Sequence, residues 1–185
     1  VTSCTDTDLA VLTIFVTSVC NARCGTCFFW DSLNRPLGEM TLDEWRRVAA
    51  TVPPVGGLQV SGGEPTLDRD LVEKVALFVK RPETSIALPT NAIRTEQVVE
   101  QVDRLAARFP QNRIIAGISI DGPPEIHDRV RGVKDNYAKA MRTLDALGDL
   151  KRRRPNLRLS TLTCLLDSNI DAMFDLLREF ADGGR

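Results

Sequence analysis

The sequence predicts an α/β fold of parallel strands covered by helices, and three observations carry that prediction. Apolar, β-branched runs alternate with helix-periodic segments from one end of the chain to the other. The first run, "VLTIFVT", is β-branched and continuous, and "RIIAGISID" is the clearest buried strand of the set. The chemically distinctive residues fall just after those runs, at what would be the C-terminal edge of the sheet.

Taken in order, "VLTIFVT" (residues 11–17) is the first strand and leads into three clustered cysteines. Thr41-Leu42-Asp43-Glu44 is a capping box, and Leu42, Trp45, Val48, Ala49 and Val52 repeat behind it at helical spacing. "GLQVSGG" (57–63) is a short strand; Leu71, Val72, Val75, Phe78 and Val79 mark one face of the next helix. "TSIALPTN" (84–91) precedes a helix with Val98, Val99, Val102, Leu105 and Phe109 on one side. "RIIAGISID" (113–121) is followed by a loop at Gly122-Pro123-Pro124 and a helix carrying Tyr137, Met141, Leu144 and Leu147. "LRLSTLTCLL" (157–166) is the fifth strand, and Ile170, Met173, Phe174, Leu177 and Phe180 line the fifth helix. Right-handed crossovers then leave two architectures, an open doubly wound sheet or a barrel.

The 185 residues suffice for one domain, and no linker or repeat divides them. A net charge of −1 gives no electrostatic reason to expect nucleic acid or a membrane surface as partner. No apolar run approaches the roughly 18 residues of a membrane span. Lys151 to Arg154 reads as a solvated helix end. Five cysteines, an odd and clustered set, do not form a secreted disulfide framework, so a cytoplasmic location is expected.

Three motifs point to chemistry. Cys20, Cys24 and Cys27 share one loop, and thiolates so grouped suit zinc or an iron–sulfur cluster. Structural zinc closes its tetrahedron with a fourth ligand, whereas Cys4, His127 and Cys164 are remote in sequence. A cluster held by three thiolates keeps an open coordination position, and the spacing favours it over zinc. In "SGGEP", Gly62 and Gly63 allow close backbone approach and Glu64 offers a carboxylate; taken alone, a strand-to-helix turn with Pro65 and Asp68 in its first turn explains it slightly better. In "SIDGPPEIHDRVRG", Ser119 and Asp121 alternate with Ile118 and Ile120, so both point to one face. Arg129 and Arg131 lie near the same edge and could hold a carboxylate. His127 reads as a helix-start or turn residue rather than a base.

Together these residues resemble one family. Cys20 to Cys27 has the C-x3-C-x2-C signature of radical S-adenosylmethionine (SAM) enzymes, with Gly62-Gly63-Glu64-Pro65 following the second strand. Thr90-Asn91-Ala92 is similar to the family's T-N-G segment, and "SIDGPPEIHDRVRG" to the S-x-D-G…R-G segment of its SPASM/Twitch branch. The resemblance implies a partial parallel (βα) barrel, about five of six units, with residues 1–185 forming a core domain truncated at its C-terminus. It implies that Cys20, Cys24 and Cys27 bind a 4Fe-4S cluster whose unique iron is chelated by S-adenosylmethionine. Glu64 and the Gly62-Gly63 backbone would bind the amino group of that cofactor, and Ser119 and Arg131 its carboxylate or ribose side. Thr26, Asn91 and Asp121 would complete the cofactor site.

Reductive cleavage to a 5′-deoxyadenosyl radical, for hydrogen abstraction from a peptide or small molecule, would be the activity. A reductant such as flavodoxin or ferredoxin would be the partner. Thr26 stands where the family usually has an aromatic residue, with Phe28 and Phe29 just beyond as a possible apolar wall, and Ala92 stands in place of glycine. A non-catalytic zinc or iron–sulfur module, serving as scaffold or electron carrier, is the alternative.

Overall fold

The computed structural model describes residues 9–35 and 38–182, so Cys4 lies outside the described residues. Five strands, β1 (Leu9–Phe15), β2 (Val55–Ser61), β3 (Ser85–Thr90), β4 (Ile114–Ser119) and β5 (Leu157–Leu162), pair in parallel and in chain order. Six helices connect or follow them: α1 (Leu42–Thr51), α2 (Leu71–Phe78), α3 (Thr95–Arg108), α4 (Pro124–Arg131), α5 (Asn136–Arg153) and α6 (Ile170–Asp182).

The order decides between the two expected architectures. A doubly wound sheet reverses its strand order once, which puts helices on both faces. Here the order never reverses, so right-handed crossovers bring the connecting helices to one face. Leu58, Val60, Ile86, Leu88, Ile114, Ala116 and Ile118 are buried on that face, each large side chain contributing about 1.5–3 kcal/mol. The other face carries Val11, Thr13, Gln59 and Arg158, all exposed. β1 and β5 remain the two edges, so the sheet is a partial barrel that does not close.

The capping box forms as expected. Thr41 accepts from the Glu44 N–H, and the Glu44 carboxylate accepts from the Thr41 N–H at 2.8 Å, an arrangement worth about 1 kcal/mol. Trp45 packs edge-on to Phe78 at 5.9 Å, joining α1 to α2. Beside them lies a buried ion pair: the Lys74 ammonium donates to Asp68 (2.7 Å) and to the Val16 carbonyl (2.9 Å). That bond fixes the chain where it leaves β1 for the cysteines.

Four features depart from the sequence reading. β1 and β2 each begin and end two residues earlier than expected, because Gly62, at φ +142°, turns the chain out of the ladder after Ser61. The segment after β4, read as a loop, forms α4, with Pro124 suited to a first turn and Gly132 ending it at φ +63°. β5 stops at Leu162 rather than at 166. On α6, Met173 and Leu176 are buried, while Ile170, Phe174 and Leu177 are exposed. The apolar residues of α6 cover a wider arc than one sheet edge can bury. Lys151 to Arg154 does end a helix, with Arg152 on Asp149 and Arg154 on Asp103.

Candidate active site

The C-terminal ends of the strands surround a cavity of about 250 Å³. Cys20, Cys24, Thr26, Cys27, Gly62, Gly63, Glu64, Asn91, Ser119 and Arg131 all line it. Of the eleven residues expected in the cluster and cofactor site, Asp121 alone does not; it is fully buried behind Arg131. Arg129, read as a second group able to hold a carboxylate, is exposed and does not line the cavity either.

The cysteine loop is docked from two sides. On one side the chain after β2 pairs with it: Gly63 N–H donates to the Thr17 carbonyl and Glu64 N–H to that of Val19, both at 2.8 Å. A β-carbon on Gly63 would lie 2.3 Å from the Val19 oxygen, and one on Gly62 2.5 Å from the Thr17 oxygen. The two glycines are therefore required by the approach of the cysteine loop itself, not by a ligand alone. On the other side the end of α4 does the same work. Arg23 N–H donates to the Arg131 carbonyl (3.2 Å) and Gly25 N–H to that of Val130 (3.0 Å), bracketing Cys24. A β-carbon on Gly132 would lie 2.5 Å from the Arg23 oxygen.

A buried carboxylate stands behind each docking surface. Glu64 is 2% exposed and caps the single 3-10 turn Pro65–Leu67, so the turn reading of "SGGEP" holds for its backbone. Its Oε1 accepts from Thr66 N–H (3.2 Å) and from the hydroxyls of Thr66 (2.6 Å) and Thr90 (2.8 Å); its Oε2 accepts from Asn91 N–H (2.7 Å). Burial pushes its carboxyl above the usual range, and these donors oppose that shift. One acceptor position on Oε2 is left over. Asn91 in turn donates to Asn21 (2.8 Å) and approaches the Cys20 sulfur at 3.8 Å. Asp121 instead holds a cation, accepting from Arg131 Nε at 2.5 Å and from Cys164 N–H at 2.9 Å.

The thiols respond to this setting. Burial pushes Cys20 above the ordinary thiol value, with the Ala22 N–H, 3.4 Å away, acting against it. Burial also raises Cys24, opposed first by the Arg131 guanidinium. Binding iron would therefore release protons from these sulfurs. Among the described residues, no three Cys, His, Asp or Glu side chains converge closely enough to hold a single metal ion. Three thiols lining one cavity suit a cluster in which each binds its own iron.

One cavity residue escaped the sequence reading. Cys164, just past β5, lines the same cavity; its place becomes apparent only when β5 pairs with β4. His127, the only histidine in the chain, is wholly buried and belongs to the scaffold, as expected. Its Nδ1 accepts from the Asp121 N–H at 3.1 Å, so its proton sits on Nε2. Nε2 lies 3.0 Å from the side chain of Asn136, whose Oδ1 is left without a partner as oriented. Turning that amide over gives Nε2–H its acceptor and satisfies both groups. Phe28 and Phe29 both line the cavity, Phe28 with its ring largely exposed and Phe29 stacked on Phe15 at 5.2 Å.

Residues 14–180 match the family model described as "Radical SAM superfamily". The chain belongs to the radical SAM superfamily. Members of this superfamily bind a 4Fe-4S cluster and S-adenosylmethionine. Over 136 residues the chain is 39% identical to the PqqA peptide cyclase of Rhodopseudomonas palustris, which covers 72% of this chain and 34% of that protein. It is 36% identical over 142 residues to the GTP 3',8-cyclase of Mycobacterium ulcerans, covering 70% and 38% respectively. Among solved structures, native anSMEcpe with bound AdoMet superposes with a TM-score of 0.66 at 20% identity, over 95% of this chain and 49% of that one. The chain thus spans between a third and a half of the length of these proteins, and the superposition shows that the fold is shared with anSMEcpe. Among the described residues no helix is long and apolar enough to cross a membrane.

Proposed function

We propose that this radical SAM domain binds a 4Fe-4S cluster through Cys20, Cys24 and Cys27 and cleaves S-adenosylmethionine reductively in the adjoining cavity, abstracting hydrogen from a peptide. The observation that carries the reading is the shared cavity: the three thiols open on the same space as Gly62, Gly63, Glu64, Asn91, Ser119 and Arg131. When bound, the cluster and its cofactor supply one-electron cleavage of a sulfonium and a 5′-deoxyadenosyl radical.

The chain's own residues bind, orient and shield. Cys20, Cys24 and Cys27 lose their protons to become iron ligands. Glu64 keeps its free Oε2 position for the ammonium group of the cofactor, while its other bonds prevent the carboxylate from rotating. Ser119 and the N–H groups Arg131 does not spend on Asp121 and Cys24 face the carboxylate and ribose side. Asn91 sits between the Glu64 loop and Cys20 and holds the two in register. Thr26 replaces an aromatic neighbour of the adenine, and Phe28 and Phe29 supply the apolar surface that excludes water. A low-potential one-electron carrier such as flavodoxin or ferredoxin would be the reductant. The similarity to a peptide cyclase supports a peptide substrate.

Anaerobic reconstitution with iron and sulfide tests the reading. The expected product is a brown protein with about four irons per chain, yielding 5′-deoxyadenosine with dithionite and S-adenosylmethionine, and losing that activity in Cys24→Ala. One zinc per chain without sulfide, or undiminished cleavage in Cys24→Ala, would overturn it.

A further inference from the structure

We propose that Arg131 is a positioning residue for the cluster: its guanidinium, aimed by Asp121, donates to the Cys24 sulfur and raises the cluster's reduction potential. The inference rests on the reading of the cysteines as cluster ligands, and goes beyond a contact with S-adenosylmethionine.

The geometry fixes donor and sulfur relative to each other. Arg131 Nη1 lies 3.9 Å from Cys24 Sγ while Nε binds Asp121 at 2.5 Å, and the Arg131 side chain is only 12% exposed. The backbone on both sides of Cys24 hydrogen-bonds to the carbonyls of Val130 and Arg131, the turn that carries the guanidinium. Asp121 is itself held at every polar position. Its N–H donates to His127, its Oδ1 accepts from Cys164 N–H, and its carbonyl accepts from Asn169 Nδ2 at 2.9 Å. A carboxylate so fixed leaves the guanidinium a single orientation.

Among the described residues, Cys24 alone of the three thiols has a charged donor. Cys20 has the neutral Ala22 N–H and Asn91 amide, and no hydrogen bond reaches the Cys27 sulfur. Reduction adds one negative charge to the cluster and its thiolates. Hydrogen bonds to the sulfurs and a nearby cation stabilise the reduced state more than the oxidised one. Asp121 opposes this from behind the guanidinium. Arg131 is nevertheless the stronger influence on Cys24, as expected when the cation lies between sulfur and carboxylate.

The test is the midpoint potential of the reconstituted cluster, followed by electron paramagnetic resonance without S-adenosylmethionine, so that cofactor contacts do not enter. Arg131→Met strands the buried Asp121 carboxylate, so the neutral pair Asp121→Asn/Arg131→Gln accompanies it as the variant that keeps the packing. Both are expected to titrate lower than wild type by about 59 mV or more, the tenfold change of a one-electron couple. Arg131→Lys, which retains the charge, should recover part of the difference. A neutral pair that holds a full cluster within about 18 mV of wild type, a twofold change, would overturn the role of Arg131 and leave the cluster assignment standing. A wild-type protein that takes up no cluster would overturn the assignment itself.

Discussion

The two docking surfaces of the cysteine loop solve one problem by different chemistry. Both place a buried carboxylate behind the loop, and both use a glycine where a β-carbon would strike a loop carbonyl, Gly63 against Val19 and Gly132 against Arg23. Glu64, after β2, is satisfied by four neutral donors from Thr66, Thr90 and Asn91. Asp121, after β4, is satisfied by an arginine that reaches on to a thiol. The Glu64 side fixes geometry and leaves an acceptor position open to the cavity. The Asp121 side delivers a positive charge to a sulfur, and its carboxylate is screened from the cavity by Arg131. The loop thus receives shape from one side and charge from the other.

Removing each carboxylate separates the two. Asp121→Ala strands a buried guanidinium, and its expected cost is about 3–5 kcal/mol, read from urea unfolding of the metal-free protein. A loss under 1 kcal/mol would mean that Arg131 turns out to water and that the two sides are alike.

Glu64→Gln should cost less, about 1–3 kcal/mol, because it leaves no charge unpaired. Its amide nitrogen must face either the Thr66 N–H or the Asn91 N–H, and both are donors, so one buried bond is lost in either orientation. An unchanged unfolding midpoint would show that the neutral side tolerates repacking, and would sharpen the contrast.

The smallest effect is a pH dependence carried by His127, on the Asp121 side. Burial holds His127 below the ordinary histidine value, and its Nδ1 accepts a bond that protonation would break. A base with a depressed folded pKa contributes stability above its unfolded value near 6.5, lost as the pH falls through the window beneath it, by at most about 1.4 kcal/mol per pH unit. Urea midpoints at pH 7.5 and 5.5 should differ in that direction for the wild type, and the difference should shrink in His127→Gln. The same difference in both proteins would place the titrating group elsewhere.

Much of this was legible in the chain. The alternation of buried runs with capped, periodic helices predicts parallel strands because each residue there obeys a local rule, and Thr41-x-x-Glu44 forms the box its spacing implies. Cys20, Cys24 and Cys27 announce a soft-ligand site because three thiols on one loop have few other uses. The family motifs name ten residues that do line one cavity. Pattern alone did not reach α4, where two prolines and two glycines mask a two-turn helix, nor the exposed half of α6.

Residue types and their spacing along the chain determined the strand–helix order, the cysteine loop and the chemistry it invites. Only the tertiary structure decided what each polar residue is for. It put Asp121 behind Arg131 rather than in the cavity, set Gly62 and Gly63 against the backbone of the cysteine loop, and brought Cys164 to the cavity wall. The physical reason is that ligand spacing is local, whereas burial and hydrogen-bond satisfaction are settled between segments more than 100 residues apart, as Cys24 and Arg131 are.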